Sequence, residues 1–237
     1  MAPVRKPAPR KHSLIGLQPG NHAIVSGASG RGKTEWTVDA ILGEGVHAGL
    51  GSPWDAAVVC CDSISLKQGA FKRLQSGFTG RGGVTMIEGL PTGDGEADFM
   101  ALLEKNHNNK MRSILVIDDL MVSSNSGAEK RLVDKLFTSA RHLGTDVYQL
   151  TQAHTDSRTR RLQCGYLVCF GTPADTGSLA HIARSISPET GGHGIMACYR
   201  NATEGHNGHG CLVVCLNQPP EIMLRNTDMR EAYALDE

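Results

Sequence analysis

A chain of 237 residues is long enough for one well-packed α/β domain and short for two. Apolar residues make up 40%, enough for a real core, and 24 basic residues balance 24 acidic ones, so bulk charge neither advertises nor excludes a nucleic-acid binder. No apolar run approaches the roughly 18 residues a membrane span needs, and the start lacks the apolar stretch of a secretory leader, so the expectation is an intracellular protein with no membrane span.

Residues 1–18 open with MAPVRKPAPRKH, in which Arg5, Lys6, Arg10 and Lys11 stand among three prolines. This reads as a basic, flexible arm, either a solvated tail or a contact for DNA or an acidic partner. An apolar strand follows at Ala23–Ser26, then a glycine-rich turn, then a helix from Lys33 to about Leu42. The turn is GASGRGKT, residues 27–34, and it matches G-x-x-x-x-G-K-[ST] at every fixed position, in the strand–turn–helix setting that gives the pattern meaning. Glycines let phosphates approach the backbone closely, and N–H groups at a helix N-terminus can cradle them. The nucleotide-binding stretch is therefore Gly27, Ala28, Ser29, Gly30, Arg31, Gly32, Lys33, Thr34 and Glu35. Lys33 is expected to reach the β- and γ-phosphates and the Thr34 hydroxyl to ligate Mg²⁺, which implies ATP and Mg²⁺ as ligands. Arg31 either touches a phosphate or faces solvent. A P-loop domain spanning 19–237 is the simplest organisation, with 176–237 a less recognisable extension of it.

Further along, Ala56–Cys60 reads as a strand, Leu66–Leu74 as a helix, Gly77–Gly83 (GFTGRGG) as a flexible break, Val84–Ile87 as a strand and Phe99–Asn106 as a helix. Residues 113–120, SILVIDDL, form an apolar strand that ends in two acids. Beside a P-loop the first acid, Asp118, can hold magnesium, and the second, Asp119, can align or deprotonate the attacking water. Many ATPases of this type carry the longer Glu at the second position, so Asp119 must sit closer to the phosphate or act through an extra water.

Glu129–Arg141 then reads as a helix with Leu132, Val133, Leu136 and Phe137 on its apolar stripe. The next strand, Asp146–Leu150, is expected to lie beside both the P-loop strand and the carboxylate strand. Its far end would bring Gln152 to the γ-phosphate, where an amide can donate to phosphate and accept from water. Arg141 is either a surface cation at a helix C-terminus or a group that neutralises transition-state charge in a neighbouring subunit. Arg158, Arg160 and Arg161 make a basic patch, with a trans-acting finger, a DNA-facing loop and a solvated run as competing roles. Strands are expected near 166–170, 194–198 and 211–216, the last two joined by a hairpin through EGHNGHG that would add an antiparallel edge. Central strands that are apolar throughout indicate a mainly parallel sheet covered by helices on both faces, an α/β fold of P-loop NTPase type. Seven cysteines lie mostly in apolar runs and read as core thiols rather than disulfides or zinc ligands.

Taken together, SGASGRGKT, SILVIDDLM and FTSARHLGTDVYQLTQ resemble viral genome-packaging ATPases of the poxvirus type, within the FtsK–HerA superfamily of P-loop motors. The last block is the most specific, because members carry a Thr-x-x-Arg-His segment leading to a strand that closes in Thr-Gln. The resemblance spans roughly residues 20–175. It implies a RecA-like core of the ASCE type, a homo-oligomeric ring of five or six subunits, and ATP-driven translocation of double-stranded DNA into a preformed capsid. Capsid or vertex proteins would be the partners, at sites of virion assembly in the host-cell interior, with retention in the virion as an option. By position it makes Gln152 the sensor and aligns Arg141 with the family's Arg-His arginine. Two other readings fit the same motifs: a helicase or loader ring on single strands, and a nucleotide-dependent assembly protein without turnover.

Overall fold

Strands that are apolar at every position must be covered on both faces, and the structure, a computed structural model, shows how. It describes residues 9–11, 17–44, 52–120, 127–152, 158–171, 176–189, 191–204, 208–218, 223–227, 229 and 231–233. The strands are β1 (Pro9–Lys11), β2 (His22–Ser26), β3 (Ala56–Cys61), β4 (Gly83–Glu88), β5 (Ser113–Asp118), β6 (Thr145–Thr151), β7 (Cys164–Phe170), β8 (Cys211–Cys215), β9 (Leu224–Arg225) and β10 (Glu231–Tyr233). They form one ten-stranded sheet in the order β1-β10-β9-β8-β7-β2-β6-β5-β3-β4. From β7 to β4 all pairings are parallel, and from β7 to β1 all are antiparallel.

Alternate residues of the same strand feed two separate cores. Ile24, Leu115, Ile117, Val147 and Leu167 meet α3 (Asp94–Asn108), α4 (Gly127–Ser139), α6 (Thr176–Ile186) and α7 (His193–Glu204) on one face. Ala23, Val25, Ile114, Val116, Leu150 and Val168 meet α1 (Lys33–Leu42) and α2 (Gly69–Gly77) on the other. Each fully buried aliphatic or aromatic side chain contributes about 1.5–3 kcal/mol. A one-residue slip in a central strand would exchange its two faces and mismatch the side chains packed in both cores. All seven cysteines are free and buried, so they serve as core residues.

Four expectations change. Residues 194–198 lie in helix α7, not in a strand, and Ile195, Cys198, Tyr199 and Ala202 repeat at helical spacing to make its buried stripe. The antiparallel edge is real, but a helix rather than a hairpin strand precedes β8. Within the arm, Pro9–Lys11 pairs with β10 as an edge strand; the rest of 1–16 lies outside the described residues. The GFTGRGG stretch is tied down. Gly82 N donates to Asp55 O at 2.8 Å, Arg81 Nη2 pairs with Asp55 Oδ1 at 3.3 Å, and Cβ atoms at Gly80 or Gly82 would strike Asp55 O or Ala56. Because it precedes β4, it lies at the N-terminal edge of the parallel strands, the end away from the P-loop.

His22 opens β2 fully buried, and its Nδ1 accepts from Val147 N at 2.9 Å. Burial, helped by the positive charge of Arg141, lowers its pKa from 6.5 to about 4. The unfolded chain thus takes up a proton between those values that the fold refuses, so this contribution is complete above pH 6.5 and is lost as pH falls toward 4. Urea denaturation at pH 7.5 and pH 5 should show wild type losing about 2 kcal/mol more than His22→Phe over that interval. Parallel losses in the two proteins would contradict the assignment.

Candidate functional site

The parallel half of the sheet gathers its strand ends at one edge, and the sequence motifs all lie there. β2 runs into the phosphate loop with β6 on one side and β7 on the other. Gly27 has φ 152°, and a Cβ at this position would come within 2.5 Å of Phe170 Cβ, so only glycine lets the loop leave β2 against β7. Gly32 caps α1 in the left-handed conformation, φ 93°, just before Lys33. Lys33 is buried, and its Nζ donates to Gly27 O at 2.8 Å and Ala28 O at 3.1 Å, folding the loop around its own ammonium. Burial lowers the Lys33 pKa, while the carboxylates of Asp119 and Asp118 oppose the shift.

Asp118 ends β5, and its Oδ2 accepts from Thr34 Oγ1 at 3.2 Å. Burial pushes its carboxyl up to about 6, with the Thr34 bond working against that and the charge of Asp119 adding to it. A divalent cation fits this chemistry, because it would stabilise the ionised form that burial disfavours. Among the described residues no group of three or more His, Cys, Asp or Glu side chains could hold a metal alone. That suits magnesium, which is held by one or two protein oxygens together with substrate phosphates and water.

Asp119 turns the chain sharply, with φ 54°, a left-handed conformation that Asp tolerates better than most residues. The turn aims its carboxylate away from Asp118 and toward β6, where Oδ2 accepts from Gln152 Nε2 at 2.6 Å. Its other oxygen, Oδ1, is buried with no hydrogen-bond partner among the described residues. Asp119 and Gln152 are thus one unit, assembled from the ends of neighbouring strands, with a carboxylate oxygen left over.

A cleft of about 770 Å³ joins these groups, lined by Ser29, Gly30, Gly32, Lys33, Thr34 and Glu35 of the loop, by Asp118 and Asp119, and by Ser65 and Gln68 beside them. Gly27, Ala28 and Arg31 support the loop rather than line the cleft: Gly27 and Ala28 hold Lys33, and Arg31 Nη1 donates to Gly208 O at 3.2 Å. Arg31 is half-buried and meets a carbonyl. Phe170, His209, Trp36 and Thr227 also line the cleft. No sequence motif points to His209 or Thr227, which flank the antiparallel strands β8 and β9 far along the chain.

The arginines separate. Arg160, the third residue of α5 (Arg158–Gln163), is fully buried; its Nε donates to Asp134 Oδ1 at 2.7 Å and its Nη1 to Gln149 Oε1 at 3.2 Å. It braces α4 against β6 and is not presented to a neighbouring subunit, which corrects its reading as a finger. Arg158 is exposed at the start of α5. Arg141 is exposed in the single 3-10 turn Ala140–Leu143, where its Nη2 donates to Gln163 O at 2.8 Å. The length of β6, about 20 Å for a seven-residue strand, separates it from Gln152, so it takes no part in its own subunit's site. Residues 153–157, which precede the basic patch, and 205–207, part of TEGHNGHG, lie outside the described residues.

No protein-family model and no curated protein matches the chain. Solved structures do. The DNA-packaging ATPase B204 of Sulfolobus turreted icosahedral virus superposes with a TM-score of 0.58 at 14% identity, over 89% of this chain and 98% of that one. The genome packaging NTPase B204 of Sulfolobus turreted icosahedral virus 2, in complex with ATP-gammaS, gives 0.55 at 13% identity with the same coverage. The cytoplasmic domain of the type VII secretion ATPase EccC of Thermomonospora curvata gives 0.52 at 14% identity, over 92% of this chain and 26% of that one. No described helix is long and apolar enough to cross a membrane. The chain has the P-loop ATPase fold of these packaging and secretion ATPases, with the parallel half of its sheet carrying the nucleotide motifs.

Proposed function

We propose that the chain is an ATP-hydrolysing motor that moves double-stranded DNA into a preformed viral capsid, working as a homo-oligomeric ring. The observation that carries the hydrolytic part is the 2.6 Å bond from Gln152 to Asp119, which lines the P-loop cleft. It joins a candidate base to a candidate phosphate sensor, which a protein that only bound nucleotide would not need. The packaging part is supported by the fold shared with B204 and by the RH…LTQ block that resembles packaging ATPases.

In this reading backbone N–H groups between Ser29 and Thr34 bind the phosphates, and Lys33 offsets their charge. Magnesium, held through Thr34 and Asp118, would supply Lewis-acid stabilisation of the phosphate oxygens. Asp119 accepts the proton of the attacking water through Oδ1, while its bond to Gln152 keeps the carboxylate in register. Water oxygen bonds to the γ-phosphorus as the bond to the β–γ bridging oxygen breaks, giving ADP and phosphate. The Gln152 amide then reports loss of the γ-phosphate. Of the candidates Arg141, Arg158 and Arg160, Arg141 and Arg158 are exposed and so available to complete a neighbouring subunit's site.

Lys33→Ala should abolish nucleotide binding in equilibrium titration. Asp119→Asn should bind ATP normally and release no phosphate; sustained turnover in that variant would remove Asp119 from its role. For Gln152→Ala, ATP affinity should stay within about threefold while kcat falls about a hundredfold. An affinity loss with unchanged kcat would make Gln152 a binding residue only. Finally, phosphate release should rise with duplex DNA and not with single strands, in samples whose mass shows a ring. Stimulation by single strands alone would favour a helicase or loader, and negligible turnover in a ring would favour an assembly protein.

A further inference from the structure

The P-loop reads phosphates and leaves open where the rest of the nucleotide lies. The sheet order answers this. Asp118, Asp119 and Gln152 all come from β5 and β6, on one flank of β2, so the terminal phosphate belongs on that flank. The opposite flank is β7, β8 and β9, and among the described residues it brings Phe170, His209 and Thr227 to the cleft and no carboxylate. The acids of α1 that also line the cleft, Glu35 and Asp39, are each held by Arg73 Nη2 at 2.7 Å.

We propose that this second flank is the nucleoside subsite, with the exposed imidazole of His209 as the ring that packs on the ribose and base. The inference rests on the nucleotide-hydrolysis reading and adds to it the residue that distinguishes a nucleotide from a bare polyphosphate. The wall is braced. A Cβ built on Gly32 would lie 3.5 Å from His209 Nδ1 and 3.8 Å from the Phe170 ring, so both rings flank the space beside the loop one residue before Lys33. Arg31 fastens the segment carrying His209 by its bond to Gly208 O at 3.2 Å. Trp36 Nε1 donates to Thr227 O at 2.9 Å, and Thr227 Oγ1 accepts from Cys211 N at 2.9 Å, so β9 is locked to α1 and to β8. Phe170 is 1% exposed and acts as a floor, and among the described residues that line this flank His209 is the aromatic side chain open to solvent.

Wild type, His209→Ala and His209→Phe should each be titrated with ATP and with inorganic tripolyphosphate, both with magnesium, after matched melting curves. Removing the ring should weaken ATP about tenfold, in the range of base–aromatic stacking, and leave tripolyphosphate within about twofold. A phenyl ring should restore most of the ATP affinity. Equal weakening of both ligands, or no change in either, would overturn the subsite. If wild type bound neither ligand, the nucleotide reading itself would fall, before any variant was compared.

Discussion

Two backbone carbonyls at the end of β6 hold the whole site together. Thr151 O accepts from Gly27 N at 3.1 Å, and Leu150 O accepts from Asp119 N at 3.2 Å. The first bond fixes where the phosphate loop leaves β2, and the second fixes where the acid pair leaves β5. The side chain of the next residue, Gln152, then closes on Asp119. The three motifs are therefore positioned by the ladder of a parallel sheet and not by the loops themselves. This follows from β6 lying between β2 and β5, an order that lets strand ends meet at one edge where ligands bind in open α/β sheets.

Electrostatics follows from that placement. Burying Lys33 and Asp118 within one cleft makes each less willing to carry charge, and each relieves the other. The low-dielectric setting that raises Asp118 also strengthens any phosphate or cation interaction formed there. The conformation of Asp119 belongs to the same economy. A left-handed non-glycine residue and a buried oxygen without a partner are both unfavourable on their own, and they are tolerated where they aim a carboxylate.

The parallel core, the phosphate loop, the acid pair and the position of Gln152 were legible because each is carried by local pattern: apolar runs, fixed spacing, and polar residues at strand ends. What was not legible depends on distant contacts. GIMAC around residue 196 reads as an apolar run, and only the wider stripe from Ile195 to Ala202 reveals a helix. Arg160 looks like its exposed neighbour Arg158, and its burial depends on Asp134 and Gln149, which no spacing rule connects to it. His209 and Thr227 reach the cleft because β8 and β9 pair antiparallel outward from β7, which lies parallel beside β2, and so bring residues from far along the chain against the loop.

On the proposed reading, that division gives the two halves of the sheet different chemical duties. The parallel half brings strand C-termini to one edge, where acids and amides can converge on a reacting phosphate. The antiparallel half alternates direction, so its contribution at that edge comes from the start of β8 and the end of β9 together. Such a pair makes a wall rather than a convergence of charges: Thr227 bonds Cys211 across it, and Trp36 pins it to α1. A hydrolytic centre requires groups placed to a fraction of an ångström, which the ladder to β6 provides. A surface that only has to hold a flat ring can be built from a braced loop, and Arg31, variable within the phosphate-binding pattern, is the link between the two.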